Sequence, residues 1–180
     1  TLVTAGLTHT ISMVAEMFLD EGDEMVCPDL YWDNYQLIFE DLIGAELRYF
    51  KFFTEDGHFN TEAMKAALLA TKGDTARIIL NFPNNPTGYS PSKKEAEGIV
   101  EALKEVADQK KVMVISDDAY FGLFFNEETE KESLFSYLAD AHENIFAIKG
   151  DAATKEEMVW GFRIGFITYA SKGLSKNQLD

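Results

Sequence analysis

Seven short apolar runs, several of them apolar without alternation, are separated by segments whose apolar residues recur at helical period, and that pattern leaves few folds open. The runs are TLVTA (1–5), EMVC (24–27), LRYFKF (47–52), RIILNF (77–82), VMVIS (112–116), NIFAIK (144–149) and RIGFITY (163–169). A half-exposed strand alternates apolar with polar residues, whereas one that is apolar throughout is buried on both faces, as in a parallel sheet covered by helices. Helical spacing appears at Leu7, Ile11, Val14 and Phe18, at Ala63, Ala66, Ala67 and Ala70, and at Ala96, Ile99, Val100 and Leu103. Ser90 and Pro91 read as the cap and first position of the last of these helices. The expectation is a three-layer α/β/α domain around a mostly parallel seven-stranded sheet. No repeat, low-complexity tract or linker interrupts it, so residues 1–180 are expected to form one domain.

Composition narrows the partners. Asp and Glu number 31 against 16 Lys and Arg, a formal charge of −15 without a basic cluster, which argues against nucleic acid. No apolar run approaches the roughly 20 residues of a membrane span, and the first residues do not pattern as a secretion signal. The lone Cys27 and three scattered histidines supply neither a disulfide nor a metal-ligand spacing, so no metal is expected and a reducing, cytoplasmic setting fits best. The sequence opens on what reads as a strand interior and stops without a closing element, and is expected to be part of a longer chain.

In a parallel sheet, ligands gather beyond the carboxyl ends of the strands. Gly6-Leu7-Thr8 follows the first run and opens a helix, either as an ordinary cap or as an anion site built from free N–H groups. PNNPTG follows RIILNF; Pro86 biases Asn85 towards extended backbone and Gly88 permits a positive φ, so Asn85 is either plain turn chemistry or an amide presented to a ligand. Asp117-Asp118-Ala119-Tyr120 follows VMVIS, where a carboxylate needs a solvated turn or a partner such as a protonated ring nitrogen. Lys155 follows NIFAIK beside two glutamates, as a solvated salt-bridging lysine or as a nucleophile.

In order and approximate spacing, Gly6-Leu7-Thr8, Trp32-Asp33-Asn34-Tyr35, Asn85-Pro86-Thr87-Gly88, Asp117-Asp118-Ala119-Tyr120 and Lys155 through Gly165 resemble the large domain of class I/II aminotransferases, fold type I enzymes that use pyridoxal 5′-phosphate. The resemblance covers essentially the whole chain. It implies that Lys155 binds the cofactor as a Schiff base and moves the proton during catalysis, with Asp117 paired to the pyridine nitrogen and Tyr120 and Asn85 hydrogen-bonded to the 3′ oxygen. Arg163, Leu7 and Thr8 would hold the phosphate, and Trp32 would stack on the ring. It further implies a ping-pong transfer of an amino group from an amino acid to a 2-oxo acid, an aspartate or aromatic substrate preference, and a homodimer in the intact enzyme.

The fit is not uniform. Ala152 stands where the family often has a phosphate-binding serine, and Met158 where a smaller residue is usual. Tyr31 rivals Trp32 for the stacking role, and Lys149 rivals Lys155. The substrate-carboxylate arginine of the family's small domain has no counterpart here, since Arg48 and Arg77 lie away from strand ends; residues 1–180 therefore read as the cofactor-binding large domain, with an N-terminal segment and a C-terminal small domain lying outside them. A β-eliminating C–S lyase with the same cofactor anchors and a non-catalytic module that kept the fold stay open. A dinucleotide-binding domain is disfavoured because no Gly-x-Gly-x-x-Gly turn follows the first run.

Overall fold

The computed structural model describes residues 1–179. Its seven strands are β1 (Leu2–Thr4), β2 (Glu24–Pro28), β3 (Glu46–Phe50), β4 (Thr75–Asn81), β5 (Lys111–Asp117), β6 (Ile145–Asp151) and β7 (Gly165–Ala170). They form one sheet in the order β1-β7-β6-β5-β4-β2-β3. β7 runs antiparallel to both neighbours and every other pairing is parallel, so the remaining six strands share one direction. Each apolar run of the sequence coincides with one strand.

Why the runs are continuous is visible in the two cores. Ile78, Leu80, Val112 and Val114 point to one face, beneath helices α2 (Thr61–Leu69), α3 (Lys93–Ala107) and α4 (Leu134–Leu138). Their strand neighbours Ile79, Met113 and Ile115 point to the other, beneath α1 (Leu7–Phe18) and a π-helical segment, Gln36–Leu42. Alternate residues of β4 and β5 thus feed opposite layers, which removes any need for a polar face.

Three local expectations change. The helix expected at Pro91 starts two residues later: Ser92 is the N-cap, its side chain accepting from the Glu95 N–H while the Glu95 side chain accepts from the Ser92 N–H. Ser90 and Pro91 stay outside because Ser92 bridges to Thr129 and the Pro91 carbonyl accepts from the Glu130 N–H at 2.9 Å. In α2 the core is reached by Met64 and Leu68, while Ala66 and Ala70 are exposed. Arg163, read as the first residue of a strand, precedes β7 in a left-handed conformation (φ 45°, ψ 55°) that ends a 3₁₀ turn, Trp160–Phe162. No described helix is long and apolar enough to cross a membrane.

Candidate active site

Because β7 is antiparallel, the residues that precede it lie at the same end of the sheet as those that follow β1, β2, β4, β5 and β6. Leu7, Thr8, Trp32, Asn85, Asp117, Tyr120, Lys155 and Arg163 all border one cavity of about 320 Å³ there. Asn81, Ala119, Thr154 and Trp160 complete the lining. Every residue to which the resemblance gives a role is brought to this cavity.

One wall brings a helix N-terminus and a guanidinium together. α1 begins at Gly6 with no side-chain cap and no acidic residue in its first turn, so its leading N–H groups and the positive end of its dipole face outward. Below them the Thr4 and Thr10 hydroxyls meet at 2.6 Å and fix the helix start to β1. The guanidinium of Arg163 closes over Gly6, where an added Cβ would come within 2.7 Å of an Arg163 terminal nitrogen. Gly165 permits the same approach from β7, since a Cβ there would meet the Gly6 carbonyl carbon at 2.7 Å.

The floor carries the carboxylate. Asp117, the last residue of β5, is buried; its Oδ1 accepts from the Ala119 N–H at 3.0 Å and its Oδ2 from the Tyr35 hydroxyl. Burial pushes its pKa up to about 6, against the pull of these two donors. Asn81 ties the floor to the neighbouring wall: its side-chain N–H donates to the Asp117 carbonyl at 2.8 Å, and its amide oxygen accepts from the Asn85 N–H at 2.7 Å. In the PNNPTG turn, Asn84 does the bracing: its side-chain oxygen accepts from the Thr87 hydroxyl at 2.7 Å and its carbonyl from the Gly88 N–H at 2.7 Å. Asn85 is thereby left to the cavity.

Lys155 stands on α5 (Ala153–Glu156), one turn beyond β6, with its Nζ 5.4 Å from the centre of the Tyr120 ring. It is exposed, and no described acidic group forms an ion pair with it; the Glu156 carboxylate packs instead against Gly122. The rival Lys149 is spent elsewhere, pairing with Asp151 at 2.9 Å and Asp118 at 3.5 Å, and it does not border the cavity. The rival Tyr31 stacks on Tyr49 at 5.2 Å with their hydroxyls 3.1 Å apart, again off the cavity. Arg48 pairs with Glu24 and Arg77 with Asp23, and neither reaches the site. Ala152 is buried and Met158 is exposed with φ 53°.

Three participants were not singled out from the sequence. Tyr35 and Asn81 act through partners 82 and 36 residues away. Trp160 lines the mouth of the cavity while remaining 64% exposed. The only signal available was position: Tyr35 closes the WDNY stretch, and Asn81 is a polar residue at the end of an apolar run.

The described donors suit a flat, anionic group with a basic ring nitrogen. An uncapped helix start and a guanidinium held over a glycine, where a Cβ would fill the space, are chemically suited to a phosphate. A buried carboxylate on the floor lacks a positive partner within the described residues and would gain from one. Trp32 offers an aromatic face and Lys155 an amine.

The model of the family described as aminotransferase class I and II matches residues 1–178. An aspartate aminotransferase of Bacillus subtilis is 29% identical over 168 residues, covering 92% of this chain and 39% of that protein. Another aspartate aminotransferase, from a Bacillus species, is 27% identical over 166 residues, covering 92% of this chain and 40% of that protein. Among solved structures, an aminotransferase from Anaerococcus prevotii superposes with a TM-score of 0.87 at 32% identity, over 98% of this chain and 43% of that one. This chain therefore spans about two fifths of the length of the relatives it matches.

Proposed function

Because this chain belongs to the aminotransferase class I and II family, we propose that its cavity binds pyridoxal 5′-phosphate and serves a ping-pong transfer of an amino group from an amino acid to a 2-oxo acid. Residues 1–180 are, on this reading, the cofactor-binding domain of such an enzyme. The observation that carries it is convergence: an amine, a phosphate cradle and a buried carboxylate, supplied by separate strand ends, border one cavity.

Bound there, the cofactor supplies an electron-withdrawing ring that takes up the electron pair released at the substrate α-carbon. Lys155 would hold it covalently through Nζ, and the same amine would carry the proton between the substrate α-carbon and the cofactor's C4′ carbon. Arg163 and the α1 N–H groups near Leu7 and Thr8 bind the phosphate and fix the cofactor's position. Asp117 holds a proton on the ring nitrogen by accepting a hydrogen bond from it. Tyr120 and Asn85 donate to the ring's 3′ oxygen. Trp32 covers one face of the ring and keeps water from it.

Of the aspartate or aromatic preference, the aspartate half is supported by the relatives' descriptions, which are aspartate aminotransferase and probable aspartate/prephenate aminotransferase. A homodimer of the intact enzyme and a cytoplasmic setting belong to the same reading. The test is to mix the chain with pyridoxal phosphate, record the visible absorbance band, reduce with borohydride and map the labelled peptide. The band and label are expected on wild type and Lys149→Ala and lost in Lys155→Ala. No band on wild type, or label on a residue other than Lys155, would overturn the assignment.

A further inference from the structure

The floor of the cavity is held from behind by a residue that does not itself border it. Tyr35 is 1% exposed and sits immediately before the π-helical segment, on the α1 side of the sheet. Its hydroxyl donates to Asp117 Oδ2, and its ring packs T-shaped with that of Trp32, the ring centres 5.7 Å and the planes 85° apart. One buried side chain therefore touches both the carboxylate beneath the proposed ring site and the aromatic plate beside it. We propose that Tyr35 is the positioning residue for Asp117, turning the carboxylate towards the cavity and supplying the hydrogen bond that lets it stay charged there. This rests on Asp117 facing the cofactor's ring nitrogen, as in the function proposed above.

The donor direction follows from the surroundings. Burial, and then the charge of Asp117, push the Tyr35 phenol well above its ordinary pKa, so it stays protonated and donates. A charged carboxylate buried at a strand end is costly unless hydrogen-bonded, and Asp117 has only two such donors among the described residues, the Ala119 N–H and Tyr35. The Ala119 bond is local, spanning two residues. The Tyr35 bond spans 82 residues and ties the carboxylate to the opposite layer. Other ionisable groups facing this pair are Cys27 beside Tyr35, Asp118 next along the chain, and Tyr120, Lys155 and Arg163 across the cavity. Among these, no described cation makes an ion pair with Asp117 within the chain.

The test reads Asp117 directly and needs no turnover. The chain is labelled with [4-¹³C]aspartate, the Asp117 carboxyl signal is assigned by its loss in Asp117→Asn, and its titration is followed without cofactor. Tyr35→Phe keeps the ring and its contact with Trp32 and removes only the hydroxyl; it is expected to move the Asp117 midpoint up by about one to two pH units, the worth of one hydrogen bond to a charged group. Replacing Tyr35 by 3-fluorotyrosine keeps the shape and strengthens the donor, and is expected to move the midpoint down. The opposite signs separate donation from a general loss of packing, and the fluorinated chain decides the matter should the phenylalanine variant fail to fold. A midpoint that stays put in the fluorinated chain, or in a folded Tyr35→Phe, would overturn the inference. In a second arm, [¹⁵N]pyridoxal phosphate is added at pH 7.5: its ring nitrogen should read protonated on wild type and substantially deprotonated on Tyr35→Phe. Failure of wild type to bind the cofactor would sink the proposed function while the carboxyl titration still judged Tyr35.

Discussion

Gly6 and Arg163, which lie 157 residues apart in sequence, are packed so closely that a methyl group on Gly6 would sit 2.7 Å from an Arg163 guanidinium nitrogen. Gly6 also adopts φ 95° and ψ 168°, a region that other residues essentially never populate. Gly6→Ala is therefore expected to act twice. It strains the backbone by about 1–3 kcal/mol, read as a lower denaturation midpoint, and it pushes the guanidinium out of the cradle, read as weaker pyridoxal phosphate binding. Unchanged cofactor affinity would show that Arg163 does not form the cradle.

The phosphate role proposed for the Arg163 guanidinium makes a second prediction, which turns on the presence of the phosphate. Arg163→Lys keeps a positive charge but loses the planar fork that bonds two phosphate oxygens at once. Pyridoxal phosphate should bind about 10-fold or more weaker to this variant, as expected for loss of a charge-assisted hydrogen bond. Pyridoxal, which lacks the phosphate, should bind both chains alike. Equal weakening of the two ligands would move Arg163 out of the phosphate role.

The elements were legible where burial is two-sided and less so where contacts are distant. Ile78, Ile79 and Leu80 can be read as strand because each face of the sheet demands an apolar residue, whatever the rest of the chain does. In α2, Ala63, Ala66, Ala67 and Ala70 match a helical period, but the larger Met64 and Leu68 match an offset one and take the core because they bury more surface. Arg163 adjoins a β-branched run and reads as strand; its left-handed backbone at the end of a 3₁₀ turn and the packing of its guanidinium over Gly6, 157 residues away, leave no local pattern. The cavity's proposed ligand groups were legible through local patterns such as NNPTG and Lys155 through Gly165. Tyr35 and Asn81 were not, because their meaning lies in partners supplied by other strands and by the opposite layer.

Glu95 makes a prediction about acid stability. Burial alone would raise its pKa, but hydrogen bonds from Tyr89, Ser92 and His58 outweigh burial and hold it at about 2, below the ordinary 4.5. A depressed folded pKa contributes stability that is present above the unfolded value and lost as pH falls through the folded one. Wild type should therefore lose stability steeply between pH 4.5 and 2. Glu95→Gln, which can still close the capping box, should be less stable at pH 7 and show a shallower acid slope. Urea midpoints measured across that range would check it, and parallel slopes for the two chains would refute it.

Asp117 carries the opposite sign. Its folded pKa, raised to about 6 by burial, means that the folded chain binds a proton more tightly than the unfolded chain does. The group is neutral in its effect below the unfolded value near pH 4; from there to pH 6 the chain loses stability because the unfolded carboxyl ionises freely while the buried one holds its proton, and above pH 6, where the buried carboxyl ionises too, the full cost persists. An amide at this position carries no charge and can still accept from the Ala119 N–H, so Asp117→Asn should stabilise the cofactor-free chain by about 1–3 kcal/mol at pH 8 and by little at pH 4. With pyridoxal phosphate the order should reverse, because a protonated ring nitrogen gains from a carboxylate and not from an amide. Melting curves at pH 4 and pH 8, with and without the cofactor, read all four states. A variant that is no more stable than wild type at pH 8 without cofactor would show that ionising Asp117 costs the fold nothing, and one that gains as much as wild type from the cofactor would remove Asp117 from the ring nitrogen.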